Sequence, residues 1–267
     1  MKVVILAGGY GTRLTEETGV KPKPMVEVGP QPILWHIMKI YSHYGLNDFI
    51  ICLGYKGEVI IDYFKNYYLR SADVTFDLEQ NTMEISRNHI DPWRVTLVQT
   101  GLNTMTGGRI KAVRDHINGE TFCLTYGDGV SDLDINRLIE FHRSEKALVT
   151  LTAVKPPGRF GAFSLPGQDT KIYNFREKAD ADDAWINGGF FVVEPEAIEY
   201  INGPATVWEY EPMQRIANEG RLSAYRHLGY WQNMDTLRDK NFLENQWNSG
   251  SPPWRIWVED RKKEFGA

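Results

Sequence analysis

Apolar residues run in short unbroken blocks through the first half of the chain, and polar or glycine-rich stretches of turn length separate them. Residues 2–7 read KVVILA, and this brief, β-branched run predicts a fully buried strand. Ile33, Leu34, Ile37, Met38 and Tyr41 then recur at helical spacing across 33–44. A second buried strand is predicted over 48–53 and a second helix over 57–66. Strand, helix, strand, helix with short connections predicts an α/β fold with a mainly parallel sheet covered on both faces.

Residues 67–93 break that rhythm. Two short strands, 74–78 and 83–87, flank Asn81 in hairpin fashion and predict a β excursion, a lid or a subunit contact. The alternation resumes with a strand over 95–100, a helix over 108–116 and a strand over 121–125 that ends at Gly127-Asp128. Residues 134–146 are amphipathic, with Asp134 placed to complement the helix dipole, and 147–154 form a β-rich run. The second half reads as more antiparallel, with strands over 161–165, 171–176, 189–193 and 223–227. Helices are predicted over 211–218 and 235–247. A breaker cluster at 249–253 precedes a tail carrying Trp254 and Trp257. The predicted organisation is one domain over 1–267, with a β excursion at 67–93 and a C-terminal tail at 249–267.

A chain of 267 residues with 42% hydrophobic content can bury a sizeable core. Its net charge of −5, with no basic block before Arg261-Lys262-Lys263, argues against nucleic acid or an anionic membrane as partner. No apolar run approaches the ~18 residues of a membrane span, and the N-terminus leads straight into a strand, so a soluble cytoplasmic protein is expected. Cys52 and Cys123 each sit inside an apolar run and read as small buried hydrophobes. The apolar surface of the excursion and of the aromatic tail predicts a homo-oligomer.

Chemistry gathers first at the end of the opening strand. Leu6 and Ala7 lead into Gly8, Gly9, Tyr10, Gly11, Thr12 and Arg13, and Lys21-Pro22-Lys23-Pro24-Met25 follows. A glycine turn brings backbone N–H groups close to an anion. Arg13 adds a fork of donors and Lys23 a point charge, which together suit a polyphosphate. The dinucleotide fingerprint is absent, since Leu14 stands at its third glycine, and so is the Walker pattern. Asp128, just beyond a buried strand, can reach a metal at the sheet edge, whereas Asp235 taken alone reads as a helix cap. Two carboxylates with phosphate oxygens and water would suit Mg²⁺. Glu177-Lys178 alone reads as surface charge, and Asn187-Gly188-Gly189 suggests close backbone approach at a strand start. The six scattered histidines support no covalent nucleophile, which favours direct displacement.

The run GGYGTRL with KPKPM, together with TGGR at 106–109, YGD at 126–128, Glu177-Lys178, Asn187-Gly188-Gly189 and WQNMDTL at 231–237, resembles the signature of the sugar-1-phosphate nucleotidyltransferases. The resemblance covers nearly the whole chain and is strongest with the cytidylyl branch. It implies a Rossmann-like, mainly parallel mixed sheet flanked by helices, of the nucleotide-diphospho-sugar transferase type. It also implies transfer of a cytidylyl group from CTP to α-D-glucose 1-phosphate, giving CDP-glucose and pyrophosphate with Mg²⁺ as cofactor. Carried onto this chain, Leu6, Ala7, Gly8, Gly9, Gly11 and Thr12, with Arg13, Lys23, Thr104, Arg109, Gly127 and Asp128, would bind the nucleotide. Arg13, Lys23 and Asp128 would be catalytic, and Asp128 and Asp235 would hold the metal. Lys178, Trp185, Asn187 and Gly188 would meet the sugar phosphate, with Glu194 a neighbour. Ala179 stands where the family usually has proline after Glu-Lys, which leaves Lys178 less rigidly placed. Arginine can only donate, so Arg109 directed at O2 and N3 fits cytosine and mismatches uracil, while a carbonyl or the Thr104 hydroxyl accepts from the 4-amino group. A sister enzyme using UTP, dTTP or ATP, or a non-catalytic sugar-nucleotide-binding subunit, shares the core signature.

Overall fold

Val3, Val4, Ile5 and Leu6 form β1 and point alternately to two different hydrophobic clusters, Val3 and Ile5 into one, Val4 and Leu6 into the other. A strand buried on both faces must carry apolar residues at every position, which is why its sequence shows no alternation. The computed structural model describes residues 1–86, 91–155, 162–164, 173–176 and 185–257.

Six further strands complete the sheet: β2 (Asp48–Leu53), β3 (Arg94–Gln99), β4 (Phe122–Tyr126), β5 (Val149–Val154), β6 (Ile186–Val193) and β7 (Leu222–His227). The order across the seven strands is β7-β5-β6-β4-β1-β2-β3. Four pairs are parallel, and β6 alone runs antiparallel to both neighbours, β4 and β5. The chain builds outward from β1 through β2 and β3, then returns to place β4 on the other side of β1. The carboxyl ends of β1 and β4 therefore flank the crevice where strand order reverses, the usual ligand position in such sheets.

Helices cover both faces. α1 (Ile33–His43), α2 (Gly57–Lys65), α4 (Ile135–Glu145) and α6 (Leu237–Asn248) contribute to the first cluster, while α3 (Thr106–Ala112) and α5 (Glu211–Asn218) contribute to the second. Asp134 is the N-cap of α4, its carboxylate accepting from Arg137 N at 3.0 Å. The helix expected over 108–116 begins earlier, at Thr106, and a separate turn spans Arg114–Ile117. No described helix is long and apolar enough to cross a membrane.

The excursion is a hairpin, Asp73–Asp77 paired antiparallel with Thr82–Ser86, turned at Asn81 with φ +50°. Phe76, Leu78, Met83 and Ile85 are exposed on it. The tail behaves differently from expectation. Trp254 and Trp257 are buried, and they surround His36 together with Trp35 and Trp247. His36 Nε2 donates to Val28 O at 2.9 Å, so Nδ1 faces the Trp254 indole N–H. Burial pushes the His36 imidazole down to about 4 despite that backbone bond. The two indoles thus bury against their own chain and give no reason for a partner. In the second half, Ala162–Ser164 pairs antiparallel with Tyr173–Arg176, and β5 pairs parallel with β7.

Candidate active site

A cavity of about 820 Å³ opens at the carboxyl ends of β1 and β4. The loop from Gly8 to Arg13 forms one wall, Leu102 to Arg109 a second, and Tyr126 to Gly129 with Ile186 to Phe190 a third. Leu6 and Tyr126 are register partners, and Gly127 N donates to Leu6 O at 3.1 Å, so the two glycine turns leave the sheet side by side. Gly8 has to be glycine for a local reason: a Cβ there would lie 2.2 Å from Arg109 Nη1.

Asp128 and Asp235 are brought together by a short ladder. Gly129–Ser131 pairs antiparallel with Trp231–Asn233, and Met234 N donates to Asp128 O at 2.8 Å. The ladder places both carboxylates on one ammonium. Lys23 Nζ lies 2.6 Å from Asp128 Oδ2 and 2.6 Å from Asp235 Oδ1. Burial alone would lower the Lys23 pKa, but the charges and hydrogen bonds of Asp128 and Asp235 outweigh it and hold the group above the ordinary lysine value. Arg13 Nη1 lies 2.9 Å from Asp235 Oδ2, which also accepts from Asn233 Nδ2 at 2.7 Å. Asp235 has no capping duty. Thr236 is the N-cap of α6 and forms a reciprocal capping box with Asp239.

Two carboxylates converging on one cationic atom fit a hard divalent ion in the same place. Among the described residues no group of three or more His, Cys, Asp or Glu side chains forms a metal cage. A cation held by Asp128 and Asp235 would leave most of its shell to phosphate oxygens and water, which is how Mg²⁺ is ordinarily bound.

Arg109 is 4% exposed and lies beneath the loop, neither free at the cavity edge nor facing solvent. Its Nη1 donates to Leu53 O (3.0 Å), Thr100 Oγ1 (2.7 Å) and Gly101 O (2.8 Å), and its Nη2 to Gly8 O (2.9 Å) and Leu102 O (3.3 Å). The expected contact with cytosine is therefore qualified. Every terminal N–H already has a protein acceptor, and a base must exchange for the Gly101 or Leu102 carbonyl to be read. Thr104 gives its hydroxyl proton to Thr100 O at 2.6 Å, which leaves its lone pairs as acceptors toward the cavity.

Of the expected sugar-phosphate residues, Asn187 and Gly188 line the cavity. Trp185 is not among its lining residues. Its ring lies 5.4 Å from Lys155 Nζ and 5.6 Å from the Arg226 guanidinium carbon, because the register that pairs Ile186 with Val154 carries it toward the β5–β7 edge. Glu194, expected as a neighbour, follows the far end of β6, where it accepts from Thr121 Oγ1 at 2.7 Å and meets His142. Lys178 lies outside the described residues, as does Glu177.

Several cavity residues escaped the sequence reading. Tyr126 and Trp231 belong to stretches whose pattern was legible, YGD and WQNMDTL, yet only the aspartates drew attention there. Trp231 Nε1 donates to Gly188 O at 2.7 Å. Tyr126 Oη donates to Glu209, which nothing in its sequence neighbourhood marks. Ser131, Asp132 and His227 do cluster, but Ser131 Oγ (3.1 Å) and Asp132 Oδ1 (2.9 Å) approach the same imidazole nitrogen, so no nucleophilic relay results.

Comparison with known proteins places this geometry. The glucose-1-phosphate cytidylyltransferase of Salmonella typhi is 55% identical over 258 residues, covering 96% of this chain and 100% of that one. A probable glucose-1-phosphate cytidylyltransferase of Bacillus subtilis is 40% identical over the same shares. Among solved structures, a UDP-glucose pyrophosphorylase from Acinetobacter baumanii superposes with a TM-score of 0.68 at 15% identity, covering 95% of each chain. HddC from Yersinia pseudotuberculosis superposes with 0.67 at 24%, covering 92% of this chain and 99% of that one. Residues 2–237 match the nucleotidyl transferase family, and the chain belongs to that family, within its sugar-1-phosphate branch.

Proposed function

We propose that this enzyme transfers the cytidylyl group of CTP to α-D-glucose 1-phosphate, forming CDP-glucose and releasing pyrophosphate. Full-length identity of 55% to a cytidylyltransferase acting on glucose 1-phosphate carries the reading. A phosphate oxygen of the sugar attacks the α-phosphorus and pyrophosphate leaves. That oxygen is already anionic at neutral pH and needs no general base, so the protein's work is alignment and charge neutralisation.

The N–H groups of the Gly8 to Gly11 loop receive the triphosphate, and Arg13 turns from Asp235 to the β- and γ-phosphates. Lys23 moves from between Asp128 and Asp235 to the α-phosphate, where it neutralises charge that develops during displacement. The two aspartates would hold Mg²⁺, which when bound would supply Lewis-acid polarisation of the reacting phosphates. Arg109 and Thr104 read the cytosine edge, Arg109 by exchanging loop carbonyls for O2 and N3. Asn187 and Gly188 face the hexose, and Lys178 meets its phosphate. The enzyme assembles as a homo-oligomer through the exposed apolar face of the 73–86 hairpin.

Pyrophosphate release from glucose 1-phosphate with CTP, UTP, dTTP and ATP in parallel tests the reading. CTP is expected to be preferred. Equal or greater turnover with another triphosphate refutes the base assignment, and no release with any of them refutes the catalytic one.

A further inference from the structure

Tyr126 closes β4 and lines the cavity, but its hydroxyl is tied to a residue that does not line it. Tyr126 Oη donates to Glu209 Oε1. The other carboxylate oxygen, Oε2, accepts from Thr106 Oγ1 at 2.6 Å, and Thr106 Oγ1 accepts in turn from Trp208 N at 2.9 Å. Asn187 Nδ2 donates to Tyr126 Oη at 3.3 Å, and Asn187 Oδ1 accepts from Gly189 N at 2.9 Å. The ring has little freedom to leave. Gly189 has φ +79° and a Cβ there would lie 2.6 Å from Tyr126 Cδ2, while Phe191 packs against the ring edge-on at 5.8 Å.

An ionised carboxylate can only accept, so the Tyr126 proton is committed to Glu209. The hydroxyl sits between the Glu209 carboxylate, which can only accept, and the Asn187 Nδ2 group, which can only donate, so both neighbours fix the same sense. The phenolic proton is therefore spent on Glu209, and of the oxygen's two lone pairs one accepts from Asn187 Nδ2 and one is left for a ligand. The Asn187 amide, fixed by two bonds, keeps one N–H and one lone pair for a ligand. An acceptor beside a donor–acceptor pair is a receptor for a pyranose hydroxyl, which both donates and accepts.

We propose that Glu209 is a positioning residue for sugar recognition. It never touches the hexose; it makes Tyr126 an obligate acceptor and so orients Asn187 toward one hydroxyl of glucose 1-phosphate. Its second oxygen ties this setting to Thr106 at the start of α3, on the nucleotide side of the cavity. The inference rests on the reading that the hexose faces Asn187 and Gly188.

Three variants test it: Glu209→Gln, Tyr126→Phe and Asn187→Ala. In Glu209→Gln an NH₂ group replaces one of the two accepting oxygens, so the hydroxyl that faces it, of Tyr126 or of Thr106, can no longer donate there. KM for glucose 1-phosphate is expected to rise about tenfold or more, the effect of one mismatched buried hydrogen bond, with KM for CTP nearly unchanged. Tyr126→Phe is expected to do the same, and Glu209→Gln in the Tyr126→Phe background to add nothing further. Across a series of deoxyglucose 1-phosphates, one analogue should lose its disadvantage in both single variants. A merely structural role would lower the melting temperature and kcat without moving that analogue preference. Unchanged preference in Tyr126→Phe, which keeps the ring packing, overturns the proposal even if Glu209→Gln fails to fold. If Asn187→Ala leaves KM for glucose 1-phosphate unchanged, the placement of the hexose fails and the inference with it. If Asn187→Ala raises that KM while Glu209→Gln and Tyr126→Phe do not, the placement stands and only the role of Glu209 is overturned.

Discussion

Replacing Arg109 with methionine keeps a side chain of similar reach and removes the guanidinium N–H groups from beneath the nucleotide loop. Two of the affected acceptors retain a backbone partner: Leu53 O still accepts from Thr100 N at 3.1 Å, and Gly8 O from Tyr55 N at 3.2 Å. The Gly101 and Leu102 carbonyls lose the bonds that Arg109 supplies at 2.8 and 3.3 Å. Each buried polar group left unmatched costs about 1–3 kcal/mol. Gly101 and Leu102 are both exposed residues, so water reaches the two carbonyls, the lower half of the range applies and the sum is about 2–4 kcal/mol. At roughly 2–4 °C per kcal/mol for a chain of about this length, the melting temperature should fall by roughly 4–16 °C. Thermal unfolding followed by circular dichroism measures this. A change smaller than about 2 °C would mean that the guanidinium does not hold the loop, and the account of its five contacts would be wrong. Steady-state kinetics on the same variant separate support from recognition. If Arg109 also reads the base, kcat/KM for CTP falls further than for UTP, narrowing the ratio by about ten- to a hundredfold. Equal losses for both nucleotides would leave Arg109 as a loop support alone.

Asp128→Asn and Asp235→Asn should each lower kcat strongly and weaken Mg²⁺ binding by calorimetry while the protein stays folded; normal Mg²⁺ affinity in either removes that residue from the metal site. His36, held neutral by burial with a pKa of about 4 against about 6.5 unfolded, makes stability fall as pH drops from about 6.5 toward about 4, by up to about 3 kcal/mol. Urea unfolding across that window should show the slope, and His36→Gln should flatten it. Cys52 and Cys123 are both buried, burial pushing each thiol up to about 12, so neither should react with a thiol reagent at pH 8 until denaturant is added. Light scattering should give an oligomeric mass at micromolar concentration, reduced by serine at Phe76, Leu78 and Met83; a monomeric wild type refutes the hairpin contact.

Much of the framework was legible in the sequence because its signals are local. Val3 to Leu6 had to be a buried strand, since an unbroken β-branched run can satisfy itself only between two apolar layers. That the glycine loop with Arg13 and Lys23 would line the cavity was legible for an equally local reason, since close backbone approach beside positive charge marks a ligand-facing turn. The hairpin was legible from two short β-rich runs around Asn81, a residue that tolerates positive φ.

What the sequence left undecided depends on partners far along the chain. Asp235 reads as a cap until the Gly129–Ser131 ladder with Trp231–Asn233 draws it to Asp128 and Thr236 takes over the capping. Trp254 and Trp257 look like exposed surface until α1 offers them His36 and Trp35. Arg109 looks like a free donor until five oxygens from three separate stretches close around it. Glu209 carries no mark at all, because its meaning lies in reaching Tyr126 and Thr106 at once, 83 and 103 residues away. By itself the sequence determined most of the strands and helices and which turn sets glycines beside Arg13 and Lys23, since propensity, burial period and glycine geometry act over a few residues. Only the tertiary structure decided which carboxylate faces which ammonium and which hydroxyl gives up its proton, because those depend on distances between elements that no local pattern encodes.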